Sequence, residues 1–166
     1  MVDSAYVSGA TMETGIAGTG SNRIEVESSG VIDAPLDNLW QLLSDFNIVA
    51  QWHPDVTESH LESGSGREAG SVRSVRLRNG ISIRECLLAI SPQDHSYRYS
   101  VIESPLPIRD HESTVRLVSL SSMQTQMTWT AKFEVIEGDS KALADGVRTG
   151  VLDLGIEGLR QAVALR

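Results

Sequence analysis

The chain has 166 residues, with 14 Lys or Arg against 22 Asp or Glu, and a net charge of −8. That balance repels phosphates and excludes general nucleic-acid binding. Cys86 is the only cysteine, which excludes an internal disulfide and a cysteine zinc site, and no apolar run approaches the ~18–20 residues of a membrane helix.

Residues 1–21 are rich in Gly, Ser, Thr and Ala and have neither helical nor strand period, so a flexible tail is expected there. They lack the basic start and apolar block of a signal peptide, and a cytoplasmic location is the expectation. Residues 22–166 are expected to form one folded domain.

Ile24, Val26, Ser28, Gly30 and Ile32 alternate with polar residues, the mark of a strand with one buried face. Asp33-Ala34-Pro35 then starts a short helix carrying Leu36, Leu39, Trp40 and Leu43 at helical spacing. A second short helix runs from Ser44-Asp45 to about Ala50 and ends at His53-Pro54.

Strands follow at Val56–Leu61, Ser71–Arg78, Ile81–Ile90, Tyr97–Glu103, His111–Leu120 and Met123–Val135. Asn79-Gly80 predicts a two-residue hairpin between the second and third of these. The last strand alternates cleanly, with Thr125, Met127, Trp129, Ala131 and Phe133 on the buried side. A long helix, Lys141 to Ala164, closes the chain with the stripe Leu143, Val147, Val151, Leu154, Leu159 and Val163. The fold class is therefore α+β: a curved antiparallel sheet of about seven strands wrapped around a long C-terminal helix, with two short helices after the first strand.

Val31-Ile-Asp-Ala-Pro35 followed by Leu39-Trp40, the run Gln51-Trp52-His53-Pro54, the strand Ile83-Arg-Glu-Cys-Leu87 and the segment Glu103-Ser-Pro-Leu-Pro107 with Arg109-Asp110-His111 together resemble the START-like, or helix-grip, superfamily. The last of these segments is similar to one found in its bacterial polyketide cyclase/dehydrase-like members. The resemblance covers residues 22–164 and implies a cavity between the sheet and the long helix. Gly146, Gly150, Gly155 and Gly158 in that helix agree with either a cavity or close packing on the sheet.

Glu85 lies among Ile83, Leu87 and Ala89 on one strand face, which the resemblance turns toward the cavity. A carboxylate there is costly unless paired. It reads equally as a ligand anchor or acid/base group and as half of an ion pair with Arg109 or an arginine on a neighbouring strand. The related plant abscisic-acid receptors carry a ligand-contacting Glu at the matching position.

Tyr97, Tyr99, Val101 and Glu103 share the next inward face, and His111 shares a face with Ser113. Trp52 and His53 are expected at the cavity mouth, Arg109 beside its entrance, and Trp129, Gly150 and Leu154 along its walls. Arg67, Arg73, Arg76, Arg78 and Arg84 read as a solvated sheet face, with an acidic partner as the alternative.

No metal-ligand spacing, phosphate loop or dinucleotide fingerprint is present, so neither metal nor cofactor is expected. Three readings follow in order. The first is a carrier or binding protein for a small apolar or aromatic molecule. The second is a cofactor-independent polyketide cyclase or dehydratase using Glu85, Tyr99 and His111. The third is a ligand-free interaction domain, for example a homodimer through a strand edge.

Overall fold

The computed structural model describes residues 23–166; the expected tail at residues 1–21 lies outside them. The strands are β1 Arg23–Ile32, β2 Val56–Ser63, β3 Val72–Leu77, β4 Ser82–Ser91, β5 Ser96–Glu103, β6 Ile108–Ser121 and β7 Gln124–Val135. They form one antiparallel sheet in the order β1-β7-β6-β5-β4-β3-β2. Helix α1, Leu36–Leu43, follows β1 and buries Leu39, Leu42 and Leu43. The expected second short helix is a 3-10 segment, Phe46–Gln51, whose first turn is capped by the Asp45 carboxylate accepting from the Asn47 N–H.

The long C-terminal helix is helical throughout but not uniform. Helix α2, Ser140–Val147, passes through a π turn, Arg148–Asp153, into helix α3, Leu154–Ala164. Asp139 caps its start by accepting from the Lys141 and Ala142 N–H groups. A π turn inserts one residue into the helical ladder. The sheet-facing row therefore runs Leu143, Val147, Leu152, Ile156, Leu159 and Val163, with a step of five at the turn. An unbroken 3.6 period had assigned that row to Val151 and Leu154. Leu152 is fully buried instead, and Leu154 is only partly covered.

Single-residue shifts also re-aim the strands. The β3–β4 connection has three residues, Arg78-Asn79-Gly80, closed by hydrogen bonds from the Leu77 N–H to the Ile81 carbonyl and from the Gly80 N–H to the Leu77 carbonyl. Gly80 takes the left-handed conformation this loop requires (φ 86°). The register is one residue from that of the expected two-residue hairpin and sets Arg73 opposite Glu85. Between β4 and β5, bulges place Arg84 opposite Glu103 but Glu85 opposite Val101, and Leu87 opposite Tyr99 but Ile90 opposite Tyr97. Glu103 is thereby turned out of the inward row, and Ile90 replaces Ala89 across from Tyr97.

The core lies between the inner sheet face, α1, the 3-10 segment and α3, with Ile32, Leu39, Leu117, Met127, Phe133 and Leu159 almost wholly buried. The four helix glycines divide into two pairs. A Cβ on Gly155 would strike the Trp129 ring and His53, and one on Gly158 would strike the Trp52 carbonyl and Pro54. A Cβ on Gly146 or Gly150 would meet nothing within 4 Å. Close packing thus holds for α3, while Gly150 lines no cavity. Among the described residues no helix is long and apolar enough to cross a membrane.

This division sets opposite outcomes for one substitution. Gly146→Ala should stabilise the protein by about 0.5–1 kcal/mol, the propensity gain of an unobstructed helical site. Gly158→Ala should cost about 1–3 kcal/mol through overpacking. Urea melts of the two variants check this, and a neutral Gly158→Ala would mean that α3 is not seated on Trp52 and Pro54.

Candidate functional site

The floor of the site is built from β3, β4 and β5. Alternation turns Arg73 and Val75, Ile83 and Glu85, and Tyr97 and Tyr99 to the inner face. Arg73 and Glu85 are only 4% and 8% exposed. The Arg73 Nε and Nη2 groups both reach one carboxylate oxygen, Glu85 Oε2, at 2.7 Å. Nη1 donates to the Phe46 carbonyl, and the guanidinium lies 3.6 Å from the centre of the Phe46 ring. Glu85 Oε1 has no hydrogen-bond partner among the described residues.

Above this floor the π turn leaves a cleft of two lobes, each about 70 Å³. Lobe one is lined by Val49, His53, Asp55, Val56, Arg73, Val75, Leu77 and Trp129. Lobe two is lined by Val101, Leu106, Ile108, His111, Ser113, Ala131, Val147 and Leu152. Ile83, Glu85, Tyr99 and Val151 border both. Val151 is the one helix side chain among these four and is partly exposed.

Both lining histidines have both ring nitrogens engaged. The Asp55 N–H donates to His53 Nδ1 at 3.2 Å, so Nε2 carries the proton and donates to the Val151 carbonyl at 2.9 Å. The Val101 N–H donates to His111 Nδ1 at 3.0 Å, and Nε2 then donates to Ser113 Oγ at 2.9 Å. Burial lowers the pKa of both rings below the ordinary histidine value. Burial raises the Tyr97 hydroxyl to about 12 and, with Glu85 nearby, carries Tyr99 higher still. Both phenols therefore stay protonated near neutrality. Trp129 Nε1 is a buried donor with no partner among the described residues. No three His, Cys, Asp or Glu side chains converge to hold a metal ion among those residues.

Of the residues singled out in the sequence, His53, Glu85, Tyr99, Val101, His111 and Trp129 meet at the cleft. The others lie elsewhere. Trp52 is buried beneath α3, packs on Trp129 with ring centroids 5.9 Å apart, and faces an outer groove beside Gly158. Tyr97 sits behind the lobes against Phe46 and Tyr99. Glu103 is turned outward by the bulge and pairs with Arg84 at 3.0 Å. Arg109 is exposed and pairs with Glu134 at 2.6 Å, so it neither guards the cleft nor meets Glu85. Gly150 and Leu154 lie off the cleft because the π turn rotates the helix face.

Arg73 escaped the sequence reading because it was grouped with its basic neighbours as a solvated face. The signal that could have found it is its phase with Val75 and Leu77. Leu106, in the Pro-containing loop, lines lobe two and was not singled out.

Two outcomes follow from this geometry. Glu85→Ala strands the Arg73 guanidinium and should cost about 3–5 kcal/mol, whereas Arg73→Met combined with Glu85→Leu should recover most of that loss; denaturant melts of the three proteins read it directly. The histidines add a pH term. The unfolded chain takes up protons near pH 6.5, while the folded chain keeps His53 and His111 neutral to lower pH. Stability should be full above about pH 7 and fall as pH drops through the mid-sixes, until the folded-state values are passed. Melts between pH 5 and 8 should show this fall, and His111→Gln should shrink it.

Residues 23–164 match the family described as "Polyketide cyclase / dehydrase and lipid transport". The Arabidopsis thaliana abscisic acid receptor PYL6 is 29% identical over 85 residues, 49% of this chain and 40% of the receptor; the match therefore spans well under half of that relative's length. Among solved structures, the protein XoxI from Bacillus cereus is 26% identical, with TM-score 0.74 over 83% of this chain and 94% of its own. An uncharacterized protein from Bacillus thuringiensis is 24% identical, with TM-score 0.75 over 84% and 98%. Norcoclaurine synthase from Thalictrum flavum, solved with dopamine and hydroxybenzaldehyde, shares the fold at 14% identity, TM-score 0.71, over 87% and 88%. With a family match that runs from β1 to the end of α3, and the same helix-grip architecture in each of these neighbours, the chain belongs to the polyketide cyclase/dehydrase and lipid transport family.

Proposed function

We propose that the protein binds a small apolar or aromatic molecule in the cleft between sheet and C-terminal helix, as a carrier or binding protein. The observation that carries this reading is the pair of mainly apolar lobes meeting at Glu85, with the acid/base candidates around them already committed to the protein. His53 and His111 have no free ring nitrogen, and Glu85 is ion-paired through Oε2. Such groups orient a ligand more readily than they exchange protons with it. The second reading is cyclase- or dehydratase-type acid–base chemistry in lobe two. It is favoured by the convergence of Glu85, Tyr99 and His111 on that lobe.

The lobes are small: a cavity of about 150 Å³ holds one benzene, twice the volume of either. Occupation by an aromatic molecule therefore requires the two to join, and Val151 is the one helix side chain that borders both. Val151→Ala should tighten binding of toluene several-fold, and Val151→Trp should abolish it, with both variants remaining folded. Toluene titrations followed by amide chemical shifts check this. Unchanged affinity in folded Val151→Ala and Val151→Trp would count against a ligand in this cleft.

A further inference from the structure

We propose that the cleft selects a ligand bearing a non-acidic hydroxyl, of the phenol or alcohol class, and rejects carboxylates. The inference rests on the reading of the cleft as a binding site and goes on to name the ligand's polar group. Four cleft observations lead to it.

First, Arg73 is the one arginine or lysine that lines the cleft, and it is not free. Its Nε and Nη2 groups each donate to Glu85 Oε2, its Nη1 to the Phe46 carbonyl, and its face lies on the Phe46 ring. An incoming anion meets a guanidinium whose charge the Glu85 carboxylate already neutralises, with two of its five N–H groups left over. Second, the other charged lining residues are acidic, Asp55 and Glu85. Third, the two histidines are neutral and fully bonded, so neither supplies a positive charge.

Fourth, two polar atoms on cleft-lining residues lack partners among the described residues, the buried Trp129 Nε1 and the less enclosed Glu85 Oε1, and they are of opposite kinds. Glu85 Oε1, on a residue 8% exposed, accepts only. Trp129 Nε1, on a residue 3% exposed, donates only. A hydroxyl both donates and accepts, so it suits either atom. A carboxylate satisfies the indole but brings like charge to Oε1. A plain hydrocarbon leaves the buried indole N–H unsatisfied and covers the Oε1 carboxylate oxygen without bonding it, which is costly.

The experiment titrates phenol, toluene and benzoate into the wild-type chain and into Glu85→Gln at pH 7, reading amide chemical shifts. Wild type should bind phenol at least tenfold more tightly than benzoate. Glu85→Gln removes the like charge and releases Arg73, so benzoate should tighten by tenfold or more. Phenol should weaken several-fold, because a charge-assisted hydrogen bond is roughly twice as strong as a neutral one. Toluene should change by less than about twofold, since it uses neither group.

Where Glu85→Gln does not fold, Arg73→Met with Glu85→Leu replaces it. That variant should keep toluene affinity and lose the advantage of phenol over toluene seen in wild type. Benzoate binding wild type as tightly as phenol overturns the inference, as does a folded Glu85→Gln with unchanged benzoate affinity or a double variant that keeps the phenol advantage. If none of the three ligands binds wild type at millimolar concentration, the cleft is not a binding site and the inference falls with that reading.

Discussion

Two opposite charges taken out of water in one place constrain everything around them. Arg73 and Glu85 face each other across β3 and β4, and Arg73 continues to the Phe46 carbonyl and ring. Such a pair contributes little net stability, because desolvation offsets most of the attraction. Its leverage is geometric. Neither partner tolerates being left alone, so the strand register, the position of the 3-10 segment and the orientation of the cleft carboxylate are set together. Phe46 passes the constraint on to Tyr97 and Tyr99, with ring centroids 6.1 and 5.7 Å away.

The same pair decides what the cleft offers. Because both guanidinium contacts fall on Oε2, one oxygen of Glu85 is held and the other is left over. Fixing the carboxylate from the protein side pre-organises it, so a ligand does not have to order it on arrival. The histidines are treated likewise, each clamped between a backbone N–H and a backbone or hydroxyl oxygen. What remains for a guest is a stiff wall with few polar positions.

Element order, the seven strands and the terminal helix were legible in the sequence, because alternation and helical spacing report burial directly. The face that each residue presents was legible only between irregularities. Arg78 adds one residue to the β3–β4 loop and so brings Arg73 inward across from Glu85. Ile102 is the extra residue that turns Glu103 out, and Leu88 the one that exchanges Ala89 for Ile90. The π turn does the same to the helix, exchanging Leu154 for Leu152. With a side-chain period of two, one uncounted residue reverses a face, and pattern alone does not register it. Glu85 and Tyr99 were turned inward by the family resemblance and His111 was grouped with Ser113, and all three border the cleft. Arg109 turns away from the cleft because the register sets it directly opposite its partner, Glu134, on the neighbouring strand β7.

The unequal use of glycine along the C-terminal helix makes it a lever. Its distal half is clamped, with Gly155 and Gly158 letting it sit against Trp129, His53 and the Trp52 backbone. Helix α2 buries no residue fully, and a side chain added at Gly146 or Gly150 would meet open space. The π turn between them is the fulcrum, pinned from outside the helix by His53. Eight residues of α2 make an arm of ~12 Å, so a tilt of about 10° carries its tip ~2 Å away from the sheet. Val147 on that arm and Val151 and Leu152 in the fulcrum form the helix side of lobe two, so the width of the lobe is a function of one angle while the seated end and the core beneath it are independent of it.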